Sequence, residues 1–422
     1  MLNRRQFIAG GAALGVTAAR SRAFANAKPK VAIIGGGPGG CSVLRELAAE
    51  APGKIEITLI EAQPIYTACF QSNLYLGGFR PFDRFKFSFD EVRKLNDVTV
   101  VTDFAEAINV KKQTVALRGG NQIPYDELVV SPGIELDYAS VPGWSKEAEE
   151  RIPHAYKGGA QLKLLKRQLD AVPDGGLIII IAPPNPYRCP PGPYERASMM
   201  AHALKAAGKT SARIVILDAK EEFSKQPLFE EGWQRHYPGM IEWMPLSIHG
   251  GIKSVDPATM TVETGFETYR NAALVNVIPR QKAGVIAQAA GLIDANGYCP
   301  IDAFTMKSMR EPRIFTVGDA CIPGDMPKSA FAAHSQGQVA AQCIRAELFQ
   351  EPHEEAEFHN TCWSLIDRGD SIKIGGLYRP TAQKIKQTSA FVSKLDDSAD
   401  ARDVNFTDSD SWYSSLTAGL YS

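Results

Sequence analysis

The sequence predicts an α/β fold made of two Rossmann-like dinucleotide-binding domains, the second degenerate, followed by a C-terminal α+β region. Three stretches of the chain indicate this fold. Residues 30–61 and residues 176–218 each read as strand, turn, helix and strand, which is the order of a parallel βαβ unit. Residues 313–320 contain a further apolar strand, which predicts that the chain returns to the first domain.

The first unit carries a glycine fingerprint directly after its apolar strand. Gly35, Gly37 and Gly40 have the spacing of the dinucleotide-binding motif. The first glycine permits a tight turn, the second lets the backbone approach a pyrophosphate, and the third lets helix and strand pack closely. Glu61 ends the next strand, about 20 residues further on, where a carboxylate can accept hydrogen bonds from ribose hydroxyls. We therefore expect an adenine dinucleotide at this turn.

The second unit has a different turn. Its strand, residues 176–182, runs into Pro183–Pro193, which is rich in proline and has no glycine fingerprint. Prolines lack the N–H groups that would hold a phosphate, and their rings fill the space that a pyrophosphate would enter. Asp218 ends the following strand without a phosphate cradle before it. This domain is predicted to have lost its nucleotide, which argues against NAD(P)H as donor or acceptor.

A second cofactor motif follows the strand at residues 313–317. Gly318 and Asp319 end this strand, as in FAD proteins with two dinucleotide-binding domains, where the aspartate holds the ribityl chain and the glycine allows close approach. A helix is predicted from about Pro327 to Phe349, with its N-terminus directed at the flavin ring. FAD is therefore the expected cofactor.

Composition shifts and Pro/Gly-containing stretches place the domain boundaries. The last 70 or so residues read as irregular, with aromatic and Asp/Ser-rich content and no basic amphipathic helix. The predicted parts are an export signal at residues 1–27, an FAD-binding domain at 28–143 and 275–330, a degenerate NAD-binding-like domain at 144–274, and a C-terminal interface and flavin-covering region at 331–422.

The N-terminus is typical of a twin-arginine export signal. Arg4 and Arg5 precede an apolar run at residues 7–19, and Ala25–Ala27 is a small-x-small cleavage site. The run is far shorter than the roughly 20 residues that span a membrane. This route exports folded proteins with their cofactor in place, so it favours a tightly held flavin and predicts a periplasmic location.

The net charge of the chain indicates which classes of partner it can bind. The chain has a formal net charge of −1, and removal of residues 1–27 takes away four arginines and no acid, leaving 42 basic and 47 acidic residues. Such a mildly acidic protein can meet a basic partner. The balance gives no electrostatic reason to expect nucleic acid or an anionic membrane surface as a ligand.

Seven cysteines in an oxidising compartment can form disulfides, and the odd number leaves at least one otherwise engaged. Cys41 reads as a small packing residue on the first helix and Cys343 as a core residue. Cys299 and Cys321 can pair or stay free. The histidines have no metal-ligand spacing, so no metal site is predicted.

Taken together, these motifs resemble the flavoprotein subunit of flavocytochrome c sulfide dehydrogenase, over essentially the whole chain after the signal. The most specific part is Arg188–Ser198, with the sequence Arg-Cys-Pro-Pro-Gly-Pro-Tyr-Glu-Arg-Ala-Ser. Supporting motifs are Cys69–Asn73, Gly318–Cys321 and Asn360–Cys362. That family belongs to the glutathione-reductase-like flavoproteins, alongside the sulfide:quinone oxidoreductases.

The resemblance implies roles for individual residues. Cys69 matches the cysteine that forms a thioether to the flavin 8α-methyl carbon. Cys189 and Cys362 match a redox-active disulfide over the flavin ring, and Glu195 matches a carboxylate near it. Without the resemblance, a cysteine pair in an exported protein more often forms a structural disulfide. The family's FAD contacts map onto Gly35, Gly37, Gly40, Glu61 and Asp319.

Three functions remain in view. The first is an exported FAD enzyme that oxidises sulfide and passes electrons singly to a c-type cytochrome. The second is a sulfide:quinone oxidoreductase, which needs a membrane-facing C-terminus that Leu395–Ser422 does not supply. The third is a non-enzymatic flavoprotein partner of a sulfur-oxidising protein. Turnover of sulfide with cytochrome c by the purified chain separates the first from the third.

Overall fold

The computed structural model describes residues 27–422, so the predicted export signal lies outside the described residues except for its last position. The strands, in chain order, are β1 Lys30–Ile34, β2 Glu56–Glu61, β3 Ile65–Thr67, β4 Lys86–Ser88, β5 Val98–Thr102, β6 Ala105–Asn109, β7 Thr114–Leu117, β8 Gln122–Pro124, β9 Glu127–Val130, β10 Ile134–Leu136, β11 Leu177–Ala182, β12 Arg213–Asp218, β13 Ile241–Met244, β14 Ile252–Asp256, β15 Thr261–Thr264, β16 Thr268–Tyr269, β17 Leu274–Val277, β18 Gln281–Ala283, β19 Cys299–Pro300, β20 Ile314–Thr316, β21 Cys321–Ile322, β22 Phe358–Asp367, β23 Asp370–Pro380 and β24 Ile385–Val392. The helices are α1 Pro38–Glu50, α2 Asn73–Leu76, α3 Ala160–Ala171, α4 Gly192–Ala206, α5 Gln226–His236, α6 Leu246–His249, α7 Val285–Ala289, α8 Ala330–Phe349 and α9 Ala399–Tyr421.

The first domain is built on a five-stranded parallel sheet with the order β20-β9-β1-β2-β5. Val31 to Ile34 of its central strand β1 are buried, because helices cover both faces of such a sheet. Helices α1 and α8 pack against each other over it. The carboxyl ends of β1 and β20 therefore meet at one edge, which brings Gly35 and Gly318 to the same place. The predicted Rossmann-like domain is confirmed.

The second domain has a four-stranded parallel sheet with the order β13-β12-β11-β17. Strand β17 pairs with β11 over Leu274–Val277, so the predicted boundary at residue 274 cuts through a strand of the second sheet. The chain returns to the first domain after this strand, where β18 pairs with β10. Apolar strands of both domains look alike in sequence, and only their pairing assigns them.

The C-terminal part differs from the expectation. Strands β22, β23 and β24 form an antiparallel sheet, and residues 399–421 form the long helix α9. The prediction that the Asp/Ser-rich segment is irregular was wrong. The Ser398 side chain caps the helix by accepting from the Ala401 N–H, and residues such as Tyr413 and Leu420 are buried against the body of the protein. Tertiary packing thus stabilises a helix that its composition disfavours.

Helix α8 also lies elsewhere than predicted. Residues 331–349 were assigned to the C-terminal region, yet α8 packs along α1 of the first domain. Gly337 makes this possible, since a Cβ there would come within 2.7 Å of the Gly39 carbonyl oxygen. Within residues 27–422, no helix is long and apolar enough to cross a membrane.

A buried charge network joins the second domain to the C-terminal sheet. His236, at the end of α5, places its Nδ1 3.1 Å from Asp367 and its Nε2 2.8 Å from Asp370. Asp370 also accepts from Arg402 of α9 at 2.7 Å, and His202 of α4 lies 2.6 Å from Asp367. Hydrogen bonds to the two carboxylates raise the pKa of His236 to about 9. The network holds the β22–β23 hairpin against the second domain.

This raised pKa predicts a pH-dependent stability. A histidine whose folded pKa is raised contributes stability that is complete below its unfolded pKa, near 6.5, and lost as pH rises through about 9. We expect urea denaturation to show that the His236 contribution, about 1–2 kcal/mol after allowance for solvent screening, falls away over this range. His236→Gln should remove this step, whereas His353→Gln, at an exposed position, should keep it. An identical pH dependence in wild type and His236→Gln would contradict the assignment.

Candidate active site

A cavity of about 540 Å³ lies where the first domain, the second domain and the C-terminal sheet meet. Its position at the carboxyl ends of the first sheet is the usual place for a ligand in an open α/β sheet. The predicted site residues that line it are Gly35, Gly37, Glu61, Cys69, Cys189, Glu195, Gly318, Asp319 and Cys362. Residues that are far apart in the chain are thereby brought into one site.

The glycine turn forms one end of the cavity. Gly35 has a φ of +101°, and a Cβ there would lie 2.2 Å from the Ser131 carbonyl oxygen. Gly40 does not itself line the cavity. A Cβ at this position would lie 2.0 Å from the Gly35 carbonyl oxygen, so the helix can pack closely on the turn only with glycine here. At Gly37 the nearest protein atoms to a Cβ are 3.8 Å away, on Tyr66, and no side chain caps the helix that begins here. The N–H groups of the first turn of α1 are thus left for an anionic ligand.

Two carboxylates stand on the cavity wall. Glu61 accepts hydrogen bonds from the N–H groups of Gly36 at 2.7 Å and Gln63 at 2.9 Å. Asp319 has one oxygen, Oδ1, that is buried without a partner, while its Oδ2 lies 3.5 Å from Arg188. A buried carboxylate oxygen needs a hydrogen-bond donor, and a hydroxyl of a cofactor can supply one.

Helix α8 points its N-terminus at the same cavity, as the sequence predicts. Its N-cap Ser329 accepts from the Ala332 N–H at 3.0 Å and donates to Asn360 of β22 at 2.7 Å. The glycine turn, the unsatisfied Asp319 oxygen and this helix terminus fit FAD: Gly37 and the first turn of α1 would hold the pyrophosphate and Asp319 the ribityl chain.

The three cysteines of interest, Cys69, Cys189 and Cys362, line the cavity as free thiols. Cys189 takes a left-handed conformation, φ +56°, and its N–H donates to the Lys328 carbonyl at 2.8 Å. Such a conformation costs free energy in a non-glycine residue and is common at functional sites. Burial raises the pKa of each of the three thiols. Cys189 and Cys362 are not bonded to each other in the structure, so their disulfide stays a prediction.

Glu195 lies in the first turn of α4 and is buried. Its Oε2 accepts from the Asn73 side-chain amide at 2.8 Å, and its Oε1 accepts from the Leu365 N–H at 3.0 Å. Burial raises the pKa of this carboxyl group, while the two hydrogen bonds lower it. A carboxyl group with a raised pKa is suited to proton transfer near neutral pH.

The structure also places two buried cations, Lys225 and Lys328, and the partly buried Arg188 around the site, and the sequence assigned no role to them. Arg188 donates to the Tyr156 carbonyl and faces Asp319. Lys328 donates to the Asp319 carbonyl at 2.9 Å and the Cys321 carbonyl at 2.5 Å. Lys225 donates to a serine of β22. Arg188 stands at the start of the Arg188–Ser198 motif and Lys328 at the start of the helix predicted from Pro327, so both could have been noticed there. Nothing in the sequence marks Lys225.

The other cysteines serve packing. Cys41 and Cys343 are buried in the first hydrophobic core, as predicted. Cys299 and Cys321 are register partners on β19 and β21 and are both free thiols. Among residues 27–422, no group of three or more His, Cys, Asp or Glu side chains is arranged to hold a metal ion.

Side chains fill the carboxyl end of the second sheet, next to the proline-rich turn Pro183–Pro193. Asp218 is fully buried and accepts from the Tyr194 hydroxyl at 2.5 Å and from Lys220 at 2.5 Å. The Tyr187 hydroxyl donates to the Pro190 carbonyl at 2.6 Å inside the same turn. The proline-rich turn therefore directs Cys189 and Glu195 toward the cavity, in place of the phosphate cradle of a nucleotide-binding domain.

Gly37→Ala tests the cofactor site directly. The structure has room for this methyl group and the backbone φ is −75°, so the fold should persist. The methyl group points into the space for the pyrophosphate, so the FAD content of the purified protein, measured from the visible absorbance of the flavin, should fall severalfold. Gly419→Ala, on exposed α9 with no atom within 4 Å of the new Cβ, is the matched control and should keep full FAD content. Equal FAD content in both variants would place the pyrophosphate elsewhere.

The comparisons with known proteins agree with this architecture. Residues 162–279 match the family described as sulfide dehydrogenase (flavocytochrome c) flavoprotein chain, central. Residues 354–421 match the flavin-binding domain of flavocytochrome c sulphide dehydrogenase, and residues 29–172 match the pyridine nucleotide-disulphide oxidoreductase family. The three matches together cover most of the chain, and they support FAD as the cofactor.

Relatives and solved structures extend this result. The chain is 23% identical to the mitochondrial sulfide:quinone oxidoreductase of Dictyostelium discoideum, over 74% of the chain and 68% of the relative. It is 20% identical to the mouse mitochondrial enzyme, over 62% of the chain and 59% of the relative.

The fold is similar to that of sulfide:quinone oxidoreductase from Aquifex aeolicus, with a TM-score of 0.72 and 18% identity over 93% of this chain and 92% of the other. It is also similar to a chain of the covalent putidaredoxin reductase–putidaredoxin complex, with a TM-score of 0.66 and 18% identity over 94% of each chain. The domain matches support an FAD-dependent oxidoreductase that acts on sulfide. The chain thus combines a pyridine nucleotide-disulphide oxidoreductase domain with the central and flavin-binding domains that the flavocytochrome c sulfide dehydrogenase family models describe.

Proposed function

We propose that this chain oxidises sulfide through a Cys189–Cys362 disulfide and bound FAD, and passes the electrons to a c-type cytochrome. The observation that carries this proposal is that both cysteines and Glu195 line the same cavity as the FAD-binding glycine turn. The two cysteines come from different parts of the chain, one from the second domain and one from the C-terminal sheet. Because both cysteines lie at the cavity, a redox role for their disulfide is favoured over that of a structural disulfide between exposed loops.

The chemistry is thiol–disulfide exchange. Hydrosulfide is a soft nucleophile that attacks one sulfur of the disulfide; the S–S bond breaks, one cysteine becomes a persulfide and the other leaves as a thiolate. The hydrosulfide proton is left on the persulfide, and Glu195, held on the same cavity wall, is the group suited to accept it. FAD, when bound, supplies a two-electron acceptor that can release its electrons singly.

Cys69 is the proposed attachment point of the flavin. It lines the cavity together with Asp319 and Arg188. The side chain is largely enclosed, and burial raises the pKa of its thiol. A thioether from its Sγ to the 8α-methyl carbon would keep the cofactor with the protein outside the cytoplasm, where free FAD is scarce.

The exposed surface of α9 suits a c-type cytochrome as the electron acceptor better than it suits a membrane quinone. The exposed side of α9 carries acidic residues, including Asp400, Asp403 and Asp408, and Arg402, its one basic residue, is buried. An acidic surface suits a basic protein partner, and it lacks the basic amphipathic face of a helix that lies on a membrane. The alternative, a sulfide:quinone oxidoreductase, is favoured by the relatives named above.

The last part of the proposal is that the protein is exported to the periplasm. Arg4 and Arg5, the apolar run after them and the small residues at Ala25–Ala27 support a twin-arginine signal and a periplasmic location. A periplasmic enzyme can reach soluble c-type cytochromes without entering the membrane.

Steady-state assays with two acceptors test the function. With sulfide as donor, we expect the purified holoprotein to reduce cytochrome c in preference to a short-chain quinone. Cys189→Ser and Cys362→Ser should each lower the rate about a thousandfold or more, because each removes one half of the disulfide that accepts the sulfur. Turnover only with quinone would favour the alternative, and no turnover with either acceptor would favour a non-enzymatic partner.

Thermal melts of the same variants are the control. A purely structural disulfide would cost about 2–5 kcal/mol of stability when removed and would leave the rate of the folded protein intact. Lowered melting temperatures with normal rates would therefore assign the pair to stability.

Mass spectrometry tests the covalent flavin. After acid precipitation, we expect the yellow colour to stay in the pellet and the tryptic peptide that contains Cys69 to carry the flavin. Cys69→Ala should still bind FAD, since the glycine turn is independent of the thioether, but should release it on precipitation. An unmodified Cys69 peptide in the wild-type protein, with all flavin in the supernatant, would contradict this assignment.

A further inference from the structure

Lys225 is a buried cation without a carboxylate partner. It precedes α5 in a left-handed conformation, φ +65°, and only 8% of the residue is exposed. Its Nζ donates to the Ser364 hydroxyl at 2.8 Å. Among the described residues it forms no salt bridge within 4 Å, and Glu195 is the carboxylate whose charge acts on it from further away. A buried ammonium of this kind is costly unless an anion is close by. The structure therefore raises the question of which anion it serves.

The face of β22 that Lys225 contacts carries a group that can become an anion, the Cys362 thiol. Alternate side chains of a strand share one face, so Asn360, Cys362 and Ser364 stand in a row about 7 Å apart. The pairing of this segment with β23 is regular, with Cys362 opposite Ile374 and Ser364 opposite Ile372. The Asn360 amide lies 3.6 Å from the Cys362 sulfur, which confirms that neighbours in this row are in contact. Lys225 therefore meets β22 at Ser364, the next residue of this row after Cys362.

The two cysteines stand in unlike electrostatic surroundings. Apart from burial, the Glu195 carboxylate has the largest effect on Cys189 and raises the pKa of its thiol. For Cys362 the largest such effect is that of Lys225, which lowers the thiol pKa, while the Glu195 carboxylate raises it less. Lys225 also lowers the pKa of Cys189, but less than Glu195 raises it. Burial lowers the pKa of Lys225 itself to about 8, against the opposing effects of Cys362, Glu195 and Cys189.

We propose that Lys225 is a positioning residue that stabilises Cys362 as the thiolate, so that sulfide adds to Cys189 and Cys362 leaves. This inference rests on the proposed function and assigns different roles to the two cysteines. In the step, the sulfide sulfur bonds to Cys189 Sγ as the Cys189–Cys362 bond breaks. The electron pair of the broken bond stays on Cys362, beside the ammonium, and the persulfide forms beside Glu195, which can take its proton.

The first experiment locates the added sulfur. The oxidised holoprotein is mixed with one equivalent of sulfide without an electron acceptor, quenched with iodoacetamide and digested for mass spectrometry. We expect the extra sulfur on the Cys189 peptide and a simple alkyl group on Cys362. Extra sulfur on Cys362 would overturn this inference and leave the proposed function standing. Extra sulfur on neither cysteine would overturn both.

The second experiment measures the effect of Lys225 without turnover. In the Cys189→Ser holoprotein, where Cys362 cannot form the disulfide, the rate of its alkylation is followed by peptide mass spectrometry from pH 6 to 10, a range that brackets the ordinary thiol pKa. Lys225→Met should shift the profile to higher pH and slow alkylation near pH 7 about tenfold, the effect of one pKa unit on the thiolate fraction.

Three controls accompany it. Lys209→Met, which removes a lysine that bonds only to the Asp170 carbonyl, should leave the profile unchanged. FAD content and melting temperature show whether each variant is folded. If Lys225→Met does not fold, Ser364→Ala, which removes the hydrogen-bond partner of the ammonium, is expected to shift the profile in the same direction. A profile unchanged in the folded variant would overturn the inference.

Discussion

One buried carboxylate holds the three parts of the active site together. Glu195 belongs to the second domain, and its two oxygens accept from Asn73 of the first domain and from the backbone of Leu365 in the C-terminal sheet. Hydrogen bonds to a charged group contribute about 1.5–3 kcal/mol each, and a buried carboxylate without them is strongly disfavoured. The cavity therefore exists only when all three parts are docked, which ties the assembly of the site to the fold as a whole.

Around this carboxylate the protein buries more charge than stability alone would justify. Arg188, Lys225 and Lys328 are held by backbone carbonyls, a serine hydroxyl and Asp319, within a region shielded from water. Buried ion pairs are often no better for stability than well-packed apolar residues. In the proposed reaction the substrate is an anion and the intermediates are a thiolate and a persulfide, and such a reaction has a chemical use for these cations.

The second domain illustrates how a fold can be kept while its ligand is lost. Its parallel sheet and crossover helix α4 are those of a nucleotide-binding unit. The carboxyl end of that sheet is closed by Asp218, Tyr194 and Lys220, and the turn above it presents Cys189 at the cavity. Function resides in the site rather than in the fold, and here the turn that would hold a phosphate in a nucleotide-binding domain presents a cysteine instead.

Local sequence was enough to predict the first domain, the FAD turn and the degenerate second unit. Gly35, Gly40 and the proline-rich turn act through backbone conformation and close approach, which depend on a few neighbouring residues. The roles of Cys69, Cys189, Cys362 and Glu195 came from motif resemblance, because their meeting in one cavity depends on how three parts of the chain dock.

Tertiary structure alone decided the rest. Helix α9 forms because packing buries one side of a segment whose Asp and Ser residues disfavour a helix, and β17 belongs to the second sheet because it pairs with β11. Lys225 has no local signal at all, since a lysine is expected at the surface and only the packed structure shows it buried and bonded to Ser364, two residues from Cys362. Contacts between residues distant in the chain are set by the summed packing of the whole molecule, and no local pattern encodes them.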